Sequence, residues 1–209
     1  MCWSATADLT AGVFISAIGA VCVARVRRVR DLPLAALPLL LGAHQIVEAV
    51  VWDSGGGAGP ATTAWAVIAL PLLAIWIPLA VLLASPPGSR RRLAVPVASG
   101  VATSGVLSYY LATREVTADI RGHTIGYAVH LPQPEIAVAG YLLATIGALL
   151  LAADRTVRLL GVLVAAGAVI CAVIWRMEFV STWCAFAALA SLVMLRWAWR
   201  RPAVPGPAV

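Results

Sequence analysis

Three side chains in this sequence are spaced to share one helix face and to do chemistry there. His44, Glu48 and Trp52 stand at i, i+4 and i+8, which stacks them in a line along a helix, and Gln45 widens the polar patch sideways. They fall inside a long apolar run, where an ionisable group is expensive and is a candidate functional site for that reason. One reading is structural: His44 and Glu48 hydrogen-bond each other or a neighbouring helix and hold it in place. In the other, a dry site keeps the Glu48 carboxyl protonated, His44 or Gln45 orients it, and the acid delivers its proton to a substrate.

A second polar point is the tight turn Trp175-Arg-Met-Glu-Phe179, with Arg176 and Glu178 at the membrane rim and Ser181, Thr182 and Cys184 just beyond. It reads either as a locally paired turn or as the mouth of a cavity. Asp53 closes the run that carries Glu48. Most tryptophans, Trp3, Trp52, Trp65, Trp175 and Trp183 toward one interface and Trp197 and Trp199 toward the other, read as an aromatic belt. Trp76 alone lies deep in a span, between Pro71 and Pro78. Together with Pro33 and Pro38, these prolines bend two spans and predict a cavity beside Glu48. A zinc site built from His44, His123 and His130 would need an outer loop to plunge into the bilayer, and no CxxC spacing occurs, so no metal is expected. No phosphate-binding loop, dinucleotide fingerprint or nucleophile elbow is present, and no cofactor is expected. Cys22, Cys171 and Cys184 fall within spans and read as small packing residues.

The elements that must position these groups are membrane spans. Of 209 residues, 62% are hydrophobic and 11% charged, and the mean hydropathy is +0.94. Such a composition excludes a soluble globular domain, a disordered chain and a small disulfide scaffold. Apolar runs fall at Leu9 to Ala24, Leu32 to Trp52, Thr62 to Ser85, Leu93 to Ala112, Glu135 to Ala153, Leu159 to Trp175 and Phe179 to Leu195. The fold class is therefore all-α, a seven-transmembrane-helix bundle in one domain over residues 1–201, with residues 202–209 a disordered cytoplasmic tail. Within the outer loop 113–134, residues 115–130 alternate around Arg121-Gly122 and suggest a short β-hairpin, either a lid over a cavity or a solvated connection.

Charge sets the orientation. All 15 basic residues are arginine, and 12 of them occupy the first, third and fifth loops and the C-terminal tail. The N-terminus is expected outside, the C-terminus in the cytoplasm and the protein in the plasma membrane. The opening Met1-Cys-Trp-Ser lacks a basic region and reads as an N-out anchor, not a cleavable signal. The formal net charge of +6 then reports topology and contact with anionic lipids at the cytoplasmic face, not nucleic-acid binding. Seven of the nine acids lie toward the opposite side: Asp8, Glu48, Asp53, Glu115, Asp119, Glu135 and Glu178.

Met1-Cys-Trp-Ser-Ala5, Leu32-Pro-Leu-Ala-Ala-Leu-Pro38 and the run His44-Gln45-xx-Glu48-xxx-Trp52 resemble a family of small, functionally uncharacterised multi-span bacterial membrane proteins that open Met-Cys-Phe-Ser-Ala. Glu178-Phe-Val-Ser-Thr-Trp-Cys-Ala-Phe-Ala-Ala188 is similar to that family's final span. Trp3 stands where Phe is usual and Ala49 where Gly is usual. The resemblance carries no activity. By type alone, length and intramembrane acids are also similar to the membrane-bound class II terpene cyclases.

These readings converge on proton-initiated cyclisation of a prenyl chain, such as that of a farnesylated acceptor. Glu48 would be the acid, with Glu178 or Asp53 a second carboxyl. Trp52, Trp76, Trp175 and Trp183 would be aromatic walls around a lipophilic small-molecule substrate, with His44 and Gln45 beside the acid. A proton-coupled transporter or binding protein built on the same stripe is the alternative, and a non-catalytic membrane assembly protein is a third. The sequence leaves the oligomeric state open.

Overall fold

In lipid a backbone must satisfy its own polar groups, and a chain of long apolar runs does so by forming helices. The computed structural model describes the backbone of residues 4–174 and 179–200, and the side chains of all of these except 171–174 and 179–185. Counting short 3-10 and π turns with the helices they continue, the described residues form α1 (Ala5–Arg25), α2 (Val29–Asp53), α3 (Pro60–Ala84), α4 (Pro87–Thr113), α5 (Pro134–Leu150), α6 (Arg155–Ile174) and α7 (Phe179–Trp199). Four of them, α1 to α4, are long and apolar enough to cross a membrane, and α5 and residues 186–199 of α7 are shorter apolar helices. Outward-facing Phe14, Val95, Ile136, Val169 and Leu192 are exposed, an apolar exterior suited to lipid.

The helices run past the expected span ends. α1 starts at Ala5, not Leu9, and α6 includes Arg155 and Arg158. Hydropathy marks where lipid begins, whereas caps decide where helix begins. Ser4 Oγ accepts the Ala7 N–H at 3.2 Å at the head of α1, and Asp154 Oδ1 accepts the Thr156 N–H at 2.8 Å at the head of α6.

Consecutive helices are neighbours and α7 returns to α1, closing a ring. The tightest seam is α1 against α2. A Cβ on Gly42 would strike Ser16 Oγ and lie 2.8 Å from the Gly12 carbonyl oxygen, so only glycine permits this approach. The proline expectation holds in two forms. α2 is interrupted at Ala36, between Pro33 and Pro38, and α3 takes a π turn at Ile68–Leu72 around Pro71. The Tyr141 hydroxyl on α5 donates to the Ala69 carbonyl in that turn at 2.7 Å.

The arginine-rich segments gather at one end. The Arg25 guanidinium lies 4.1 Å from the centre of the Trp199 ring, and Leu34, Ser85 and Asp154 border one crevice there. At the other end the outer loop forms β1 (Thr117–Arg121) and β2 (Thr124–Ala128), paired antiparallel from Thr117↔Ala128 to Arg121↔Thr124. The left-handed Gly122 (φ +61°) makes the two-residue turn. Gly57 exchanges backbone bonds with Ala118 (2.7 and 3.1 Å), which ties the hairpin to the α2–α3 turn. That turn places Gly55, Gly56 and Gly57 in succession near φ +77°, open to glycine and strained for other residues.

Two tryptophans depart from the belt. Trp65 and Trp197 are each 1% exposed: the hairpin covers Trp65, and Trp197 belongs to the large apolar cluster that also holds Cys22, Leu34 and Leu93. Trp199, 60% exposed, keeps a surface position.

Candidate functional site

Beneath the hairpin, α1, α2, α3 and β2 bring polar side chains together. Asp8 on α1 and Glu48 on α2 are both fully buried. The Trp52 indole N–H donates to Asp8 Oδ2 at 2.9 Å, and the Tyr127 hydroxyl donates to Glu48 Oε1 at 3.3 Å. The Tyr127 ring stacks on Trp65, with centroids 3.4 Å apart and planes within 5°. Trp65 in turn meets the His44 ring at 5.0 Å. A continuous path of contacts therefore runs from Glu48 through Tyr127 and Trp65 to His44.

The helical stripe read from the sequence is real, and its members do different things. Trp52 turns to Asp8 and Glu48 to Tyr127, while His44 and Gln45 form the wall of a cavity of about 210 Å³. The rest of that wall is mainly apolar, with Leu41, Leu70, Leu73, Leu107 and Leu142 among its residues. The π turn lies alongside and supplies Ala69 and Leu70. The wall carries no Asp, Glu or Arg among the described residues. His44 Nε2 and Gln45 Oε1 are buried without a hydrogen-bond partner, as are Asp8 Oδ1 and Trp65 Nε1. Four such atoms so close together are unusual, since buried polar atoms in folded proteins are overwhelmingly bonded.

Other expected residues fall elsewhere. Asp53 is exposed at the end of α2. Trp76 packs on the cluster around Cys22 and Leu34, and its indole N–H donates to the Pro33 carbonyl at 3.0 Å. Both are separate from the polar group under the hairpin. Trp175 and Glu178 lie outside the described residues, and so does the side chain of Trp183. His123 and His130 are exposed on the outer loop while His44 is buried, and no group of three or more His, Cys, Asp or Glu among the described residues is placed to hold a metal ion.

Sequence reasoning missed Asp8, Trp65 and Tyr127 as members of the site. The available signals were an acid inside the first apolar helix and the alternation that points Ile125 and Tyr127 to one side of β2. No spacing in the chain couples residues 8, 65 and 127, which meet only through the fold.

The family model described as a family of unknown function (DUF6629) matches residues 1–208. The chain belongs to that family. This agrees with the resemblance carried by the Met1-Cys-Trp-Ser-Ala5 opening and the His44–Trp52 stripe, and the family's description assigns no activity. No curated protein and no solved structure matches the chain.

Proposed function

We propose that this DUF6629 member is a membrane protein of the plasma membrane, crossing it seven times with its arginine-rich end in the cytoplasm, and that it binds a small neutral lipophile between its helices. The observation that carries the binding reading is the pair of orphaned atoms, His44 Nε2 and Gln45 Oε1, on the wall of an otherwise apolar cavity. An apolar pocket with a few convergent polar groups is the usual form of a small-molecule site.

Binding is favoured over cyclisation by three placements. The cavity wall carries His44 and Gln45 but not Glu48, whose Oε1 accepts from Tyr127. Trp76 is not part of that wall, and its indole N–H is engaged by the Pro33 carbonyl. A dry cavity of about 150 Å³ holds one benzene ring, so 210 Å³ accepts a ring or a short chain and not a folded fifteen-carbon prenyl group.

The test is titration of the protein in lipid nanodiscs with 4-propylphenol, a ring-sized hydroxyl donor, followed by saturation-transfer NMR. His44→Phe and Gln45→Leu keep volume and remove the polar atoms. Each is expected to weaken binding about fivefold, the worth of one hydrogen bond of about 1 kcal/mol. Equal binding by wild type and both variants overturns the reading. Topology is checked separately with reporters inserted at residues 88 and 122, which are expected on opposite sides.

A further inference from the structure

We propose that the ligand of the His44–Gln45 cavity is a tailed, neutral amphiphile that arrives sideways from the bilayer, its head donating to Gln45 and its hydrocarbon tail lying in a groove between α4 and α5. This rests on the reading of the cavity as a ligand site and adds the ligand's class and its route.

The head chemistry follows from Gln45. An amide oxygen only accepts, so the group that satisfies Gln45 Oε1 must bring a hydroxyl or N–H. His44 Nε2, also orphaned, is a second partner for the same head. Among the described residues the wall offers a charged head no counter-ion, and burying an unpaired charge is far more costly than burying a hydroxyl that gains a partner. The Tyr141 hydroxyl, the other polar group there, already donates to Ala69.

The tail's place follows from continuity. Outside the cavity, between α4 and α5, runs an apolar groove of about 390 Å³ bordered by Ala102, Val106, Tyr110, Ile136 and Gly140. Leu131 and Ala137 line both spaces, so groove and cavity meet at these two residues. Val106 and Ile136 are exposed on the apolar exterior, which puts the groove in contact with acyl chains. On its floor the Ser99 hydroxyl is already engaged, donating to the Gly140 carbonyl at 2.9 Å, so hydrocarbon lying there does not strand that donor.

On the hairpin side the described residues form a packed layer. Val116, Ala118 and Ile125 of the hairpin segment are buried against Val51, Trp65 and Ala66. The stacked Tyr127 and Trp65 rings connect that layer to His44. A ligand from water on this side would have to displace this layer, whereas one from lipid enters where Leu131 and Ala137 border both groove and cavity.

The experiment uses 4-dodecylphenol carrying a diazirine at the far end of its chain, irradiated with the nanodisc-embedded protein and mapped by mass spectrometry. Adducts are expected on residues 99–110 and 136–140, reduced at least about fivefold by excess 4-propylphenol. Ala102→Trp fills the exposed groove without touching the cavity wall. It is expected to cut those adducts at least about fivefold while leaving 4-propylphenol binding unchanged. Adducts spread evenly over the lipid-facing sides of α1, α4 and α6, without competition, overturn the groove while the cavity stands, provided 4-propylphenol still binds through His44 and Gln45. If 4-propylphenol does not bind, cavity and groove both fall.

Discussion

The ring of Tyr127, more than its hydroxyl, should hold the hairpin down. Its hydrogen bond to Glu48 is 3.3 Å long, at the weak end of the range, and such a bond contributes about 0.5–1 kcal/mol. Its ring lies flat on Trp65 at 3.4 Å, an arrangement worth about 0.5–1.5 kcal/mol beyond the apolar area it buries. Tyr127→Phe removes only the first contribution, and Tyr127→Ala removes both together with the ring's burial, about 3 kcal/mol by analogy with other aromatic truncations. Read by hydrogen exchange of the paired amides in residues 117–128, where opening is in fast equilibrium, Tyr127→Phe should speed exchange about threefold to fivefold and Tyr127→Ala about a hundredfold. Amides in the middle of α6 serve as the internal control and should not change. If Tyr127→Ala exchanges at the wild-type rate, the hairpin is held by Gly57 and Ile125 alone, and the contact path to His44 does not constrain it. If Tyr127→Phe equals Tyr127→Ala, the hydroxyl dominates and the argument from stacking is wrong.

Three further substitutions probe how the site is built. Gly42→Val forces a side chain into Ser16 and the backbone of α1; it should destabilise the detergent-solubilised protein by about 3 kcal/mol or more, seen as a lower thermal midpoint, and an unchanged midpoint would mean that α1 and α2 do not pack this closely. Trp52→Phe keeps an aromatic ring and removes the indole N–H that donates to the buried Asp8 carboxyl, so a loss of about 1–3 kcal/mol is expected in urea unfolding. Gly56→Ala meets both a left-handed backbone and the Ala118 carbonyl oxygen 2.5 Å away; it should cost about 1–3 kcal/mol and accelerate amide exchange in β1 more than in β2.

How much of this was legible in the sequence depends on whether the signal was periodic. The helices were, because apolar length and the breaks at Arg25–Arg30, Ser54–Gly59 and Arg90–Arg92 are local properties. So was the hairpin, because strand alternation and a Gly at the turn occupy only a dozen residues. The His44–Glu48–Trp52 stripe was legible as a stripe, but its division of labour was not. A helix turns 100° per residue, so His44, Glu48 and Trp52 drift around the face, and where each lands depends on α1, the hairpin and α3. Trp52 found an acid 44 residues earlier, Glu48 a tyrosine 79 residues later, and only His44 and Gln45 were left facing the gap beside the π turn. Trp76 lies apart from the polar group for a related reason: depth within a span says nothing of direction, and this indole turns to the carbonyl of Pro33, near the break at Ala36.

The placement of the acids bears on function more than their number does. A proton donor for an apolar substrate must touch that substrate, and in this fold the path from Glu48 to the cavity runs through two stacked rings and an imidazole. What that path can transmit is position. A head bonded at His44 would fix the imidazole, which abuts Trp65, which carries Tyr127 and with it β2. Occupancy of a site reached from lipid would in this way be felt at the hairpin on the opposite side of the cluster. The same chain in reverse predicts that loosening the hairpin weakens binding. Tyr127→Ala should lower 4-propylphenol affinity several-fold although Tyr127 does not line the cavity, whereas Tyr127→Phe should leave it nearly unchanged. Equal affinity in all three proteins would show the hairpin and the cavity to be independent.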